Sequence, residues 1–358
     1  MVAATAEVLA ETTEVRPGFE LDAARLEAYL ETHVEGFAGP LTLRQFRGGQ
    51  SNPTFLLKLD GVRRYVLRKK PPGVLLPSAH AVDREYRIMA ALHDTPVPVA
   101  RVHCLCTDES IIGTMFFVMD FMAGRSFWNP ALPDLGVAER RALYREMNRV
   151  IAALHAVDYQ AVGLGDYGKA GNYFARQIAR WSKQYRSSET ERIEAMERLI
   201  VWLPENIPPG DETTLVHGDF RLDNLIFHPV EPRVVAVVDW ELSTLGHPLA
   251  DFSYHVMAWR LEASLRGLGG YDLPALGIPS EEEYVATYCR QTGRGRIDPR
   301  HWDFYLAYNM FRVASIRQGI LHRALSGNAS NQKALEAGRR ARQTAEEAWR
   351  QVERLQGH

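Results

Sequence analysis

Apolar and polar positions alternate along short runs in the first third of the chain, a pattern typical of β-strands that bury one face. Two or three such runs occupy residues 41–69, where Asp60-Gly61 between alternating runs is a strong hairpin signal. Another pair of strands is predicted within residues 101–120. Two amphipathic helices, over residues 21–34 and 82–92, are predicted to accompany these strands.

From residue 137 onward, apolar residues recur every three or four positions, which predicts long helices. Further helices are predicted over residues 172–185, 189–203, 251–260, 281–290, 301–325 and 331–355. The pattern divides the chain into a flexible tail over residues 1–18, an N-lobe over 19–122 and a C-lobe over 123–358. We therefore predict an α+β fold, with a small antiparallel sheet and one main helix in a mixed N-lobe and a mostly helical C-lobe.

The composition excludes several classes of function. Of 358 residues, 46% are hydrophobic and 24% charged, which is ordinary for a globular protein, and the net charge of -2 offers no field for nucleic acid or anionic membranes. The three cysteines, Cys104, Cys106 and Cys289, lack the spacing of metal ligands. No apolar run approaches the roughly 18 residues of a membrane span, and the N-terminus lacks a basic signal-peptide region. We expect a cytoplasmic protein without membrane or nucleic-acid partners.

The stretch from Leu215 to Tyr254 carries the candidate chemistry. Asp219 and Asn224 precede a β-run, and after a turn with two prolines a second β-run leads to Asp239. A hairpin would bring Asp239 back beside Asn224. Phosphoryl transfer needs such a set, with one carboxylate to orient and deprotonate a hydroxyl, and an amide and a second carboxylate to hold magnesium. A zinc site at His217, Asp219 and His228 would lack a fourth ligand.

The motifs HGDFRLDN and VVDWE follow the spacing H-x-D-x-x-x-x-N and a D-W-E in place of D-F-G. In these motifs the chain resembles the aminoglycoside phosphotransferase family, relatives of protein kinases, over roughly residues 20–350. The phrases YVLRKKPPG and DWELSTLGHPLADFSYH are most similar to the kinase-like domain fused to, or encoded beside, acyl-CoA dehydrogenases. The resemblance implies a two-lobed, protein-kinase-like fold that uses ATP and Mg²⁺, with GTP not excluded.

The resemblance also implies roles for residues of the central stretch. Asp219 orients and deprotonates the acceptor, and His217 braces the loop; Arg221, within the same motif, joins the catalytic set. Asn224 and Asp239 are the expected magnesium ligands. In kinase-like folds a carboxylate on the following helix accepts hydrogen bonds from the catalytic-loop backbone, and Asp251 takes that supporting position.

The nucleotide site is expected in the N-lobe. Arg68 lies where protein kinases have their phosphate-pairing lysine, on the same strand face as Val66, and an exposed basic strand end is the alternative interpretation. Glu85 is its expected partner, although a solvated helix position would also explain this residue. The remaining predicted nucleotide contacts are the loop residues Gly48, Gly49, Ser51 and Asn52, the connector residues Asp120, Phe121 and Met122, and Ile226.

The acceptor is predicted to be a hydroxyl compound of low molecular weight, because the chain lacks the A-P-E element and activation loop with which protein kinases hold peptides. Arg221, His247 and Arg260 favour a carboxylate- or acyl-bearing hydroxy compound. The resemblance to the dehydrogenase-associated domain implies the same class, a hydroxy acid or hydroxyacyl-CoA of fatty-acid breakdown. The alternatives are an aminoglycoside, homoserine or choline kinase, or a non-catalytic ATP-binding partner of an acyl-CoA dehydrogenase. No dinucleotide fingerprint is present, so we expect no flavin.

Overall fold

A computed structural model describes residues 12–47, 52–59, 63–71, 81–326 and 332–356. Their contacts divide the chain into two compact units. The first unit comprises Met1–Ser126, Ala161–Leu164 and Asp223–Leu242. The second comprises Phe127–Gln160, Gly165–Leu222 and Ser243–His358. The architecture is mixed α+β, as the hydrophobic pattern predicts.

The first unit is organised by a six-stranded antiparallel sheet with the strand order β1-β2-β3-β4-β6-β5. Two helices, α1 and α2, and the hairpin β8–β9 complete the unit. The bounds of its elements are β1 Thr12–Thr13, α1 Ala23–His33, β2 Leu41–Phe46, β3 Thr54–Leu59, β4 Arg63–Lys69, α2 Val82–Leu92, β5 Val102–Cys106, β6 Phe116–Asp120, β8 Leu225–Phe227 and β9 Val234–Val237.

The sheet and α1 share one apolar core. Leu26 and Leu30, one turn apart on α1, are fully buried against alternating strand residues such as Phe55 and Leu57. Asp22 begins the helix as its N-cap, because its carboxylate accepts a hydrogen bond from the backbone N–H of Arg25. The inward-facing side chains of the strands and of α1 therefore pack in one core, as their periodicities predict.

The prediction of a flexible tail over residues 1–18 is wrong for residues 12–18, and residues 1–11 lie outside the described ranges. Thr12 and Thr13 pair with Phe46 and Gln45 and extend the sheet by one strand, and Thr12 is fully buried. The backbone N–H of Arg16 also donates to the Gln45 side chain. A two-residue strand has no periodicity to detect, so only the pairing partner reveals it.

The hairpin β8–β9 belongs to the first unit, whereas the sequence placed it in the C-lobe. Arg125 exchanges two backbone hydrogen bonds with Phe227, at 2.7 and 2.8 Å, and thereby joins the hairpin to the segment that follows β6. Gly124 makes this possible, because a side chain there would collide with the Phe227 carbonyl oxygen and with Ile226. A single boundary at residue 122 is therefore wrong for residues 223–242, which belong to the first unit.

The second unit is mostly helical, with one short antiparallel pair of strands, β7 and β10. The 27-residue helix α9 is its longest element, and it packs against α4, α6, α10 and α11. The bounds are α3 Val137–His155, α4 Tyr173–Ser188, α5 Glu194–Glu205, β7 Thr214–Val216, β10 Thr244–Gly246, α6 Pro248–Val256, α7 Leu273–Leu276, α8 Glu281–Gln291, α9 Pro299–Leu325, α10 Gln332–Arg339 and α11 Ala341–Gln356.

The single helix expected over residues 331–355 is two helices, separated at Arg340. Gly338 explains the close packing of the first of them, because a Cβ there would lie 2.6 Å from the Cβ of Leu321 on α9. Among the helices of the described ranges, none is both long and apolar enough to cross a bilayer.

Candidate functional site

Arg68 is the centre of an ion-pair network in the first unit. Its guanidinium nitrogens lie 3.2 Å from a carboxylate oxygen of Glu85 and 3.2 Å from one of Asp239. Arg68 is 9% exposed and Glu85 1%, so both charges are removed from water. The predicted Arg68–Glu85 pair is therefore present, and the exposed strand end considered for Arg68 is wrong.

The carboxylates outnumber the cation in this network. Burial opposes the charge of Arg68, but Glu85 and Asp239 outweigh it and hold the pKa of the guanidinium above its usual value. Burial raises the pKa of Glu85 to about 7, and the neighbouring carboxylates of Asp239 and Glu241 oppose the lowering effect of Arg68. The network therefore contains more acidic than basic side chains, and an added cation would be favourable there.

Asn52 contributes to this network rather than to an exposed phosphate loop. Its side chain is fully buried, and its amide nitrogen donates to Glu85 at 2.7 Å. The other predicted loop residues, Gly48, Gly49 and Ser51, lie outside the described residues. The described part of the loop therefore holds Glu85 in place beside Arg68.

Asn224 and Asp239 are neighbours across the β8–β9 hairpin. Leu225 pairs with Val237, and the backbone N–H of Val238 donates to the Asn224 carbonyl at 3.0 Å. The indole N–H of Trp240 donates to Val237 at 2.9 Å and fixes the turn that follows β9. The expected hairpin is therefore present, and it places Asn224 and Asp239, fifteen residues apart in sequence, at the same end of its ladder.

Asp239 adopts a left-handed backbone conformation with φ 68°. This region is unfavourable for a residue with a side chain, and such strain costs of order 1–3 kcal/mol. Its side chain is 38% exposed, although one oxygen contacts Arg68. The strained turn presents a carboxylate oxygen to solvent while the other remains on the arginine.

A cavity of about 210 Å³ opens beside Arg68. Its walls are mainly apolar, and Val66 faces Met119 across the β4–β6 pair. It brings together six predicted nucleotide residues, namely Val66, Arg68, Asp120, Phe121, Met122 and Ile226. Seven further residues line the cavity and were not among the predicted nucleotide contacts, namely Phe46, Thr54, Ala100, Met119, Gly124, Ser126 and Val238.

The connector residues have partners within the sheet. The backbone N–H of Asp120 donates to Arg101 and that of Phe121 donates to Arg64. The Asp120 carboxylate lies 2.7 Å from the Nε2 atom of His103. These two backbone N–H groups therefore already serve the sheet, which limits the ways in which this segment can bind a ligand.

Asp219 lies in the second unit, where Tyr254 and Arg221 hold its two oxygens. The Tyr254 hydroxyl donates to Oδ1 at 2.5 Å, and the Nε atom of Arg221 lies 3.5 Å from Oδ2. Burial and the Asp219 charge raise the pKa of the Tyr254 hydroxyl, so it remains a donor at neutral pH. The sequence motif had not identified Tyr254 because it lies 35 residues away on α6.

Asp251 holds the loop that carries Asp219. Its oxygens accept the backbone N–H groups of His217 at 2.7 Å and Gly218 at 2.9 Å, which is the contact expected for this residue. His217 is fully buried, and its Nδ1 accepts the Asp219 backbone N–H at 3.2 Å. His217 therefore braces the loop from inside, and it does so without exposure to a substrate.

Further buried residues support this loop. His155 lies 3.3 Å from Asp251 and 2.7 Å from the Tyr288 hydroxyl. Burial alone would raise the pKa of Asp251, but hydrogen bonds and the nearby histidines hold it below its usual value. The Arg312 guanidinium donates to the Gly218 carbonyl at 2.6 Å. No local pattern reveals these contacts, which join segments 94 to 133 residues apart.

No group of three or more His, Cys, Asp or Glu side chains in the described ranges is arranged to hold a metal ion. Oxygen ligands at Asn224 and Asp239 remain suitable for Mg²⁺, which commonly binds one or two protein carboxylates together with phosphates and water. The first unit thus offers a carboxylate-rich site beside an apolar cavity, and the second a carboxylate held by a tyrosine and an arginine.

Residues 42–308 match the model of the phosphotransferase enzyme family. Acyl-CoA dehydrogenase family member 10 of Mus musculus is 50% identical over 94% of this chain, and family member 11 of Homo sapiens is 44% identical over 90%. The chain spans only 32% and 42% of those relatives' lengths.

Solved structures show the same fold. A Ralstonia eutropha protein named as an aminoglycoside phosphotransferase is 55% identical, with a TM-score of 0.86 over 94% of this chain and 99% of that one. A choline kinase from Cryptosporidium parvum is 11% identical, with a TM-score of 0.67 over 93% and 96% of the two chains, and this likeness shows the fold alone. The resemblance seen in the motifs is confirmed, and the chain belongs to the phosphotransferase enzyme family.

Proposed function

We propose that this chain transfers the γ-phosphoryl group of ATP to a hydroxyl of a small anionic molecule. The observation that carries the proposal is the double pairing of Arg68 with Glu85 and Asp239 at the wall of an apolar cavity. A cation held by a buried carboxylate beside a cavity is the arrangement with which kinase-like enzymes bind nucleotide phosphates. The cavity would take the adenine, and Arg68 the phosphates.

The residues of the first unit fit Mg²⁺. Asn224 and Asp239 would hold the ion, because they lie at the same end of the β8–β9 hairpin and the Asp239 side chain is 38% exposed. The ion would neutralise negative charge on the phosphates. The carboxylate excess around Arg68 supports this assignment, since Asp239 and Glu241 both raise the pKa of Glu85.

Asp219 would act on the acceptor. Its carboxylate takes the hydroxyl proton while the hydroxyl oxygen forms a bond to the γ-phosphorus, and the bond from that phosphorus to the β-phosphate oxygen breaks to release ADP. Tyr254 and Arg221 position the carboxylate, and Asp251 holds the loop through its backbone. Most of the rate enhancement would come from this positioning and from charge neutralisation.

The acceptor class is supported by two observations. Arg221 lies beside Asp219, which favours an acceptor with negative charge. Several curated relatives of greater length are named as acyl-CoA dehydrogenase family members. We therefore propose hydroxy acids or their CoA thioesters as acceptors, and an acyl-CoA dehydrogenase as a functional partner.

The test is ADP release by the purified chain with ATP, Mg²⁺ and a panel of acceptors. The panel holds hydroxyacyl-CoAs, free hydroxy acids, homoserine, choline and aminoglycosides. We expect turnover with the hydroxy acids or their thioesters. Turnover confined to amino sugars, homoserine or choline would overturn the acceptor class, and calorimetric binding of ATP without ADP release from any compound would favour a non-catalytic role.

A further inference from the structure

Three arginines of the second unit lie on segments that are distant in sequence and joined by hydrogen bonds. Arg317 lies on α9, Arg340 lies between α10 and α11, and Arg266 follows the turn Ala263–Leu265. We refer to these three residues as the arginine cluster. They are separated by 23 to 74 residues in sequence, so their proximity results from tertiary packing.

Hydrogen bonds on α11 fix this packing. The Arg317 guanidinium donates to the Thr344 hydroxyl, and that hydroxyl donates to the Arg340 carbonyl at 2.7 Å. On the next position of the same helix, Gln343 donates to Glu262 at 3.1 Å and to Ser264 at 3.2 Å. The first turn of α11 therefore holds the Arg340 and Arg317 segments against the turn that carries Arg266.

The electrostatics of the cluster are unfavourable as they stand. Burial, Arg340, Arg266 and Arg221 all lower the pKa of Arg317, to about 10, and only Tyr254 opposes them appreciably. Within the described ranges, neither Arg317 nor Arg340 forms an ion pair with a carboxylate. The nearby Glu262 carboxylate accepts hydrogen bonds from Gln343 and Ser264 instead. A bound anion would relieve this repulsion.

An aromatic surface adjoins the cluster. The Trp128 side chain is 65% exposed, and the Arg266 guanidinium lies over its ring, 3.5 Å from the centroid. Arg266 also donates to the Trp128 carbonyl at 3.1 Å. An exposed tryptophan held rigidly beside cations can stack on a nucleotide base.

The cluster is also linked to the proposed acceptor carboxylate. Arg221 and Tyr254, two electrostatic neighbours of Arg317, both contact Asp219. We propose that the arginine cluster binds the phosphate groups of an acceptor whose hydroxyl is presented to Asp219, and that Trp128 stacks on its base. The acceptor is then a hydroxyl compound carried on a phosphorylated nucleotide, as in a CoA thioester. This inference rests on the proposed function, and it names residues for the acceptor site.

The test compares acceptors that share a hydroxyacyl group and differ in the carrier. A hydroxyacyl-CoA, the same acid as a pantetheine thioester and the free acid are assayed with the wild-type chain and the double variant Arg317→Gln, Arg340→Gln. We expect the KM for the CoA thioester to rise at least tenfold, with kcat, the KM for ATP and the KM values of the other two acceptors within twofold. Trp128→Ala should raise the same KM by a smaller factor.

Two controls separate binding from folding. Arg145→Gln removes an exposed charge on α3 of the same unit and should leave every constant unchanged. Arg317→Lys keeps the charge and should recover part of the affinity lost in Arg317→Gln. Equal KM values of wild type and double variant for the CoA thioester would overturn the inference, as would an equal rise for all three acceptors.

Calorimetric titration with coenzyme A separates this inference from the proposed function. If no acceptor is phosphorylated, retention of CoA binding by the wild-type chain and its loss in the double variant would uphold the arginine cluster as a site. Failure of the wild-type chain to bind CoA would overturn the cluster even where free hydroxy acids are phosphorylated. Turnover of hydroxy acids without CoA binding would leave the proposed phosphotransfer intact.

Discussion

The surroundings of Arg68 and those of Asp219 have opposite charge balances. In the first unit, Arg68 interacts electrostatically with three carboxylates, those of Glu85, Asp239 and Glu241. In the second unit, Asp219 contacts Arg221 and lies in electrostatic reach of Arg312, and Arg317 interacts with Arg221, Arg266 and Arg340. One region therefore favours an added cation and the other an added anion.

This difference matches the two reactants that we propose. A nucleotide binds with a divalent cation, which an excess of carboxylates would hold, while an anionic acceptor needs arginines that are not all neutralised by the protein. A uniform charge on both regions would bind one reactant at the expense of the other. Four substitutions test this division.

Asp219→Asn would break the acceptor side at its centre. We expect kcat to fall by at least about 10³-fold, equivalent to roughly 4 kcal/mol of barrier, because the amide cannot accept the hydroxyl proton. ATP affinity should stay within twofold, since Asp219 belongs to the other unit. Steady-state kinetics and ATP calorimetry measure the two quantities. Asp134→Asn, an exposed carboxylate of the same unit, is the control, and a fall below tenfold would remove Asp219 from the proton transfer.

Asp239→Asn would break the nucleotide side. We expect the Mg²⁺ concentration for half-maximal rate to rise about 100-fold, because one carboxylate ligand is replaced by an amide. Acceptor KM should change little. The measurement is a Mg²⁺ titration of ADP release at saturating acceptor. Glu241→Gln alters the field at Arg68 without removing a proposed ligand, so an equal shift in both variants would contradict the assignment of Asp239.

Tyr254→Phe tests whether the tyrosine hydroxyl positions the Asp219 carboxylate. The ring remains and only the hydroxyl that donates to Asp219 is lost. We expect kcat to fall about tenfold while both KM values stay within twofold, because the carboxylate loses one fixed hydrogen bond, worth about 1–2 kcal/mol. Steady-state rates, with thermal unfolding as the check on stability, test this. An unchanged kcat would show that Arg221 and the loop position Asp219 without the tyrosine.

Glu85→Gln tests the carboxylate excess directly, through the free energy of unfolding rather than through the rate. Burial raises the pKa of Glu85 from 4.5 to about 7. Between pH 4.5 and 7 the folded chain therefore retains a proton on Glu85 that the unfolded chain has released. The stability from this proton is present below about pH 4.5 and is lost as pH rises through about 7. We expect the wild-type free energy of unfolding, relative to the variant, to fall by about 2–3 kcal/mol between pH 4.5 and 8.

Urea unfolding of both proteins across this pH range measures that difference. The control is Glu35→Gln, which replaces an exposed carboxylate in the turn after α1 of the same unit and should show no comparable fall. A wild-type chain that gains stability relative to Glu85→Gln as pH rises would show that Arg68 fully compensates the buried carboxylate.

Local patterns predicted much of the fold. The helix α2 has the bounds that its apolar period indicated, and strand alternation placed Val66 and Arg68 on the wall of one cavity. The hairpin between Asn224 and Asp239 followed from two apolar runs around prolines. These elements were predictable because each depends on residues close together in sequence. Their catalytic roles remain predictions.

Other features had no local signal. The strand β1 is too short to show a period, and Asn52 was predicted as a loop donor although its side chain is buried on Glu85. The return of β8–β9 to the first unit depends on contacts with Arg125, about a hundred residues earlier. Sequence spacing cannot predict such pairings, because the separation of two segments along the chain does not indicate whether their backbones form hydrogen bonds.

The sequence by itself determined the family motif, the alternating and helical segments, and the candidate carboxylates. Only the tertiary structure decided which side chains hold those carboxylates: Arg68 on Asp239, Tyr254 on Asp219 and His155 on Asp251. The physical reason is that charges and hydrogen bonds act through space at a few ångströms, while these partners lie 35 to 171 residues apart along the chain.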